Sequence, residues 1–523
     1  MKIELQRKQI EQTLFTELGY TGFLSLFEHV QPLLHTVTLH PMEEEEAKRH
    51  YAHLIELEAR FPEKEVVELL GLCSALPCLE HSLPLLVQGR LEQFHLFDLG
   101  RFLEGNARLC RLEAVAPVDV DAEADLKQLL QIVEESTEAS FSSMCLDAES
   151  KALRAAIERS EKKLERLIEE YEGEIRGRTG LKMIYPWPRE IGLSDEQAEE
   201  IVKTGLLTLK KHHDLYLVEY VTSSALQAEQ NRKTELDSQF AELMDEQLAK
   251  LNRKLMQLGE VLDQYYRKRV ARIWHYILLT VKVKQNLCWP ELTDRRGCRL
   301  DGAWLFGLRE QKQERCIPLD LELQPGASVL FGANMSGKTT VLKTLYFQLS
   351  LVRFGLPLPA VRARLHYPVQ VELMLKSSGD IRQSRSTYSE ELAFFARPMQ
   401  DGAYILLDEM FLSTDPKSGV VLSEIAINSM AMRDGVFFCT THYPEILAAD
   451  NCQLYTMEDP DLTLLLDETG NSIDQCMPYR LVEIKCSDRK KLETTTLPLQ
   501  VALHFDLPKD MCEAIRKRLD GMQ

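Results

Sequence analysis

The chain has 523 residues, 45% apolar and 27% charged, which excludes a disordered or fibrous polypeptide and exceeds what one hydrophobic core ordinarily supports. A net charge of −19 argues against a nonspecific nucleic-acid coat, whose affinity comes mainly from Lys and Arg neutralising phosphates, but leaves room for a local basic surface. No run approaches the about 20 apolar residues of a membrane span, residues 1–12 show no targeting pattern, and the twelve cysteines have neither zinc nor disulfide spacing, so a cytoplasmic protein with reduced thiols is expected.

From residue 1 to about 177 apolar residues recur at three- and four-residue spacing, the mark of helices. The stretch 136–176 reads as one long exposed helix, with Leu153, Ile157, Leu164, Leu167 and Tyr171 on a heptad-like seam and charges on the other faces. A break at 177–188 contains Pro186 and Pro188, and Ser194 with Gln197 looks like a capping box opening another helix. A second long helix is expected over about 224–280, where Met244, Leu248, Leu251, Leu255, Leu258, Leu262 and Tyr265 form an a/d stripe. Two long helices joined by a short helical region predict an antiparallel arm, and heptad seams serve packing at least as often as ligand contact.

Pro290, Gly297 and Gly302 mark a change of character, and the domain boundary is placed at about 290. Beyond it, short apolar strands at 328–331, 404–407 and 436–440 alternate with helical stretches, as in an α/β domain with a largely parallel sheet. Gly332, Ala333, Asn334, Met335, Ser336, Gly337, Lys338 and Thr339 fit G-x-x-x-x-G-K-[ST] between the first of these strands and the helical run that Thr340 opens. That pattern brings backbone N–H groups and a helix N-terminus to phosphates, Lys338 to the β/γ oxygens and the Thr339 hydroxyl to Mg²⁺. Asp408 and Glu409 end the second strand, the former suited to hold the metal and the latter to orient or deprotonate water. Acids commonly end strands at the surface, and it is the pairing with the P-loop that gives these two weight. His442 follows the third strand and is placed to sense a γ-phosphate, although a histidine there is more often structural.

These residues together resemble the MutS family of DNA mismatch-repair ATPases over roughly 290–520. Asn334-Met335 is similar to the family's G-P-N-M-x-G-K-[ST], with Ala333 in place of proline. Ser386-Thr387-Tyr388-x-x-Glu391 resembles its S-T-F-x-x-E signature, and Leu406–Glu409 and Thr441-His442-Tyr443 resemble its Walker B and switch-histidine segments. The tail 499–519 resembles the family's C-terminal A-G-L-P helix region. The chain departs after Glu409, where the family's G-T-[ST] turn is replaced by Met410-Phe411-Leu412-Ser413-Thr414-Asp415-Pro416.

The resemblance implies a multidomain fold: an all-α helical core or lever over 1–290, an ABC-like α/β P-loop ATPase domain over 291–470 and a helical dimerisation tail over 471–523. It implies ATP and Mg²⁺ as cofactors, with the P-loop and Thr340 on ATP, Thr339 and Asp408 on the metal, and Glu409 and His442 in catalysis. It further implies a homodimer, or a heterodimer with a related subunit, in which Ser386 acts in trans. The roughly 290 residues ahead of the ATPase region are too few for the family's mismatch-reading and connector domains, and the Smr-type nuclease of one branch is not expected after Leu519. Phe-x-Glu, the triplet of the mismatch wedge, occurs four times, at Phe15, Phe61, Phe102 and Phe240, and so discriminates nothing.

Two functional classes stay open. One is a DNA-acting clamp, whose arm tip carries Arg176, Arg178, Lys182, Arg189, Lys203, Lys210 and Lys211 among nearly as many acids. The other is an ATP-driven motor acting on a protein client, in architecture like the reactivating factors of cobalamin-dependent lysine or ornithine aminomutases. The reading adopted is the clamp, without mismatch recognition in the strict sense.

Overall fold

The computed structural model describes residues 2–5, 16–28, 36–113, 122–138, 143–312, 316–332, 336–375, 387–449, 451–458, 478–484, 502–503 and 508–520. Two compact units emerge, one of residues 1–75 with 270–523 and one of residues 76–269. The first unit therefore includes the chain's opening residues, a different division from the boundary drawn at about 290. Its N-terminal part holds β1 (Lys2–Leu5), α1 (Tyr20–Glu28), β2 (Thr36–Leu39), α2 (Glu44–Arg60) and α3 (Glu63–Ser74). β1 and β2 pair in parallel, so the region expected to be all-α is not wholly helical.

The second unit opens with α4 (Ser82–Val87), α5 (Gln93–Glu113) and α6 (Ala122–Ser136), followed by the long α7 (Ala148–Thr179). The helix expected over 136–176 thus begins twelve residues later, where the Asp147 side chain accepts from the Ser150 N–H, and ends at Gly180 in the left-handed conformation that stops helices. The region beyond it, expected to be helical, is mixed. It holds β3 (Glu190–Ile191), α8 (Asp195–Lys203), β4 (Leu207–His212) and β5 (Leu215–Tyr220), the strands forming an antiparallel sheet in the order β3-β5-β4. A two-residue turn with left-handed His213 joins β4 to β5. Alternation decides the matter locally: Val218 points inward against Tyr171, Ile175, Met183 and Ile201 and Tyr216 is likewise buried, while Leu215 and Leu217 face out. The capping box at Ser194 and Gln197 is present.

The chain returns through α9 (Ser224–Leu255), a 3₁₀ turn at Met256–Leu258 and α10 (Gly259–Lys284), so the helix expected over 224–280 is interrupted in its middle. α7 and α9 run antiparallel, as Ser150 meets Gln247 while Ser160 meets Glu229. Glu229 is buried, accepts from Ser160 Oγ at 2.6 Å and Lys163 Nζ at 2.7 Å, and those contacts hold its carboxyl below the usual range. A buried carboxylate with matched donors at one height fixes the register of the pair more than it stabilises it. Among the described residues no helix is long and apolar enough to cross a membrane.

The rest of the first unit holds two sheets. β6 (Pro290–Leu292), β7 (Cys298–Ala303), β8 (Leu319–Leu323) and β10 (Arg362–Leu365) make the smaller, in the order β6-β10-β7-β8, with α11 (Phe306–Lys312) between β7 and β8 in sequence. The larger contains β9 (Gly326–Phe331), β11 (Val371–Met374), β12 (Tyr404–Leu407), β13 (Val436–Thr441), β14 (Cys452–Met457) and β15 (Leu481–Glu483), in the order β11-β12-β13-β9-β14-β15. All of its pairs are parallel except β14–β15. β9, β12 and β13 are buried along their whole length, the expectation for strands covered on both faces, and their near-continuous apolar runs are what made them legible. Helices α12 (Lys338–Arg353), α13 (Thr387–Phe395) and α14 (Pro416–Ala431) complete the layer. α1 and α2 belong to this unit through contacts on α12: Tyr20 packs on Phe347 at 4.7 Å, and Tyr51 donates to the carbonyls of Val352 and Leu356 near the end of α12. Among the described residues of the stretch 471–523, expected to be a helical tail, are strand β15 and the helix α15 (Lys509–Asp520).

Candidate nucleotide site

β12, β13 and β9 are adjacent and parallel, so their carboxyl ends share one edge of the sheet, where open α/β sheets place their ligand crevice. After β9 the chain turns at Gly332, and α12 begins behind Gly337, whose φ of 98° favours glycine. A Cβ at Gly337 would also lie 3.1 Å from the Tyr479 ring. No side chain caps α12, so its first turn presents backbone N–H groups and the positive end of the helix dipole. Lys338 is buried and donates to the Gly332 carbonyl at 2.8 Å, folding back over the loop.

One hydrogen-bonded chain ties the start of α12 to the Asp408 carboxylate and to the backbone of Glu409. The Thr339 hydroxyl donates to Asp408 Oδ2 at 2.8 Å, and the Thr440 hydroxyl donates to Asp408 Oδ1 at 2.7 Å while accepting from the Glu409 N–H at 2.8 Å. Thr440 thereby orients the Asp408 carboxylate and anchors the backbone of Glu409, contacts the sequence reading missed. The available signal was a hydroxyl at the end of the strand expected beside β12. Glu409 sits at φ 52°, a left-handed conformation that costs a non-glycine residue about 1–3 kcal/mol. The Thr440 bond and burial of the following Met410 and Phe411 hold it there. Thr440→Val keeps the shape but leaves the Glu409 N–H and one Asp408 oxygen unpaired, a cost of about 1–3 kcal/mol. It is expected to lower kcat/KM for ATP roughly 5- to 100-fold in a steady-state assay.

These residues fit a magnesium nucleotide. Ser336 in the loop is buried, and its hydroxyl has no hydrogen-bond partner among the described residues, an omission costing about 1–3 kcal/mol that a phosphate oxygen would remove. The Thr339 proton is committed to Asp408, which leaves the hydroxyl's lone pairs for a cation. Thr340 lies in the first turn of α12, and His442 follows β13 directly, its ring 4.7 Å from that of Tyr443. Ala333, Asn334 and Met335 of the loop and Ser386 of the signature lie outside the described residues.

Residues 328–522 match the family model for MutS domain V, a span that runs from within β9 through every described element of this site. That match places a MutS domain V in residues 328–522. Similar proteins include the Endonuclease MutS2 of Solidesulfovibrio magneticus (strain ATCC 700980 / DSM 13731 / RS-1), 28% identical over 200 residues that cover 35% of this chain and 26% of the relative. That of Streptococcus suis (strain 05ZYH33) is 27% identical over 226 residues, covering 41% and 28%, and that of Thermotoga maritima (strain ATCC 43589 / DSM 3109 / JCM 10099 / NBRC 100826 / MSB8) is 29% identical over 136 residues, covering 25% and 18%. The match therefore spans only about a quarter of the length of such relatives. Its departure after Glu409 is an ordered turn. Met410 and Phe411 enter the core, Asp415 caps α14 through the Ser418 N–H with Pro416 at the first position, and the Ser418 side chain together with that N–H holds the Asp415 carboxyl below its ordinary range. Gly419 is required there, because a Cβ would stand 2.8 Å from the Phe411 carbonyl oxygen and 2.5 Å from the Tyr443 hydroxyl.

Proposed function

We propose that this MutS-family chain binds ATP with Mg²⁺, hydrolyses it, and uses the cycle to open and close a dimeric clamp on DNA. The observation that carries the ATPase part is the Thr339–Asp408–Thr440–Glu409 chain at the mouth of the P-loop, the arrangement a metal-holding carboxylate and a water-handling carboxylate need. Lys338 and the first turn of α12 bind the phosphates, Thr339 and Asp408 hold the metal, and Glu409 orients the attacking water and takes its proton. Bound Mg²⁺ supplies charge stabilisation at the transferring phosphoryl group. His442 senses the γ-phosphate, and Ser386 acts in trans on the nucleotide of a second subunit, related or identical.

DNA is the proposed substrate because the family acts on DNA, with the arm tip as the contact. There Arg176, Lys182, Arg189 and Lys203 are exposed, whereas Lys210, Lys211 and Arg178 are engaged by Glu219, Asp195 and Glu174. The test is steady-state ATP hydrolysis with duplex, mismatched and branched DNA at low and moderate salt. Stimulation that falls by roughly 0.9 log units per log unit of salt for each phosphate neutralised is the expected result. Hydrolysis indifferent to every DNA would overturn the clamp, and recovery of a protein by the ATP-trapped Glu409→Gln variant would then support a motor acting on a protein client.

A further inference from the structure

The turn that replaces the family's usual sequence after Walker B is held from the signature helix. Glu391, on the second turn of α13, is buried and accepts from the Ser413 hydroxyl at 2.8 Å, and its carboxylate is also bonded by the Phe411 backbone. Phe395, one turn further along, stacks on Phe411 with centroids 5.5 Å apart and 17° between planes. From the opposite side the Tyr443 hydroxyl, next in the chain to His442, donates to the Phe411 carbonyl at 3.3 Å. Phe411 and Glu409 are both left-handed, with φ of 51° and 52°, so the two-residue path between them has little freedom to absorb a displacement. A buried carboxyl kept at one hydroxyl and one amide is a costly way to hold a loop, since Glu391 gives up hydration that an apolar side chain would not need. Burial accordingly pushes its carboxyl above the usual range.

We propose that Glu391 and Ser413 are positioning residues that make the placement of Glu409 depend on the position of α13. The inference rests on the ATPase reading above. The helix begins at Thr387, immediately after Ser386, so whatever engages the signature segment pulls on Glu391, through it on the 411–413 turn, and through that turn on the carboxylate that handles water. A nucleotide bound to a second subunit is then reported to this chain's own Glu409. Substitution in the pair changes turnover without changing ATP affinity, because neither residue is part of the P-loop.

The experiment uses the full chain, with ATP affinity measured by a fluorescent ATP analogue and turnover at saturating ATP across a range of protein concentrations. Ser413→Ala, at an exposed position, and Glu391→Ala are each expected to lower kcat about 10- to 100-fold with Kd for the analogue within about twofold, in line with what misplacing a reacting group costs. Glu391→Gln, which still accepts from Ser413, is expected to recover most of the rate, and the Glu391→Ala/Ser413→Ala double variant to be no slower than the worse single one. Turnover of the parent is expected to rise steeply with protein concentration, and that rise should flatten in both alanine variants. A hydrolysing parent whose Ser413→Ala variant keeps its rate and concentration dependence overturns this inference alone. So does a loss of affinity in step with rate. A parent that does not hydrolyse ATP overturns the ATPase reading and the inference with it.

Discussion

Glu409→Gln is expected to lower steady-state ATP hydrolysis about 10²- to 10⁴-fold while leaving nucleotide affinity nearly unchanged, the loss associated with removing a general base. The substitution is unusually clean here. Glutamine has nearly the same shape and tolerates the left-handed backbone about as well as glutamate. The Glu409 contact with Thr440 is made by the backbone N–H, so the orientation of Asp408 survives. What disappears is the ability to take a proton. A protein that still binds but no longer turns over should accumulate as an ATP-bound dimer, detectable by size-exclusion chromatography with light scattering in the presence of ATP and Mg²⁺. Hydrolysis at the parent rate would remove Glu409 from its assigned role and direct attention to His442.

Lys338→Ala is expected to act one step earlier, weakening ATP binding by about 100-fold or more in a titration with a fluorescent nucleotide analogue. A hydrogen bond to a charged group contributes about 1.5–3 kcal/mol, and two phosphate oxygens lie within reach of one ammonium in a P-loop. Alanine is a good helix former and α12 starts at this residue, so the fold should tolerate the change. An unchanged affinity would mean that the loop is not the phosphate site. The two variants separate the halves of the proposal, since the first spares binding and abolishes turnover, whereas the second removes binding itself.

The nucleotide site was legible in the sequence because each of its parts is encoded locally. Buried strands in a parallel sheet are continuous apolar runs, and β9, β12 and β13 each end beside residues proposed for the chemistry. Glycine at 337 follows from a backbone only glycine adopts comfortably, and the lysine and threonine after it from the start of the helix. The helical arm was less legible. A heptad seam signals packing without saying where a helix is broken, so the interruption at Met256–Leu258 and the late start at Ala148 escaped notice. The β4–β5 hairpin was written in the sequence, with alternation on both sides of His213-Asp214. Charged and aromatic residues in six-residue strands nevertheless fit a helical reading as well as a strand reading until the apolar face has something to pack against.

By itself, then, the sequence determined the residue types and spacing of the loop and of the two acids, the features from which phosphate binding and water activation are proposed. Tertiary structure decided the rest. Thr440 lies 32 residues from Asp408 and Glu391 lies 22 from Ser413, and no local pattern predicts which hydroxyl will meet which carboxylate. The order in which strands enter the sheet puts β13 beside β12, and the packing of α13 over the turn after Walker B buries Glu391. Partners of that kind are fixed by topology and burial, which depend on the whole unit at once, so they become visible only when the chain is folded.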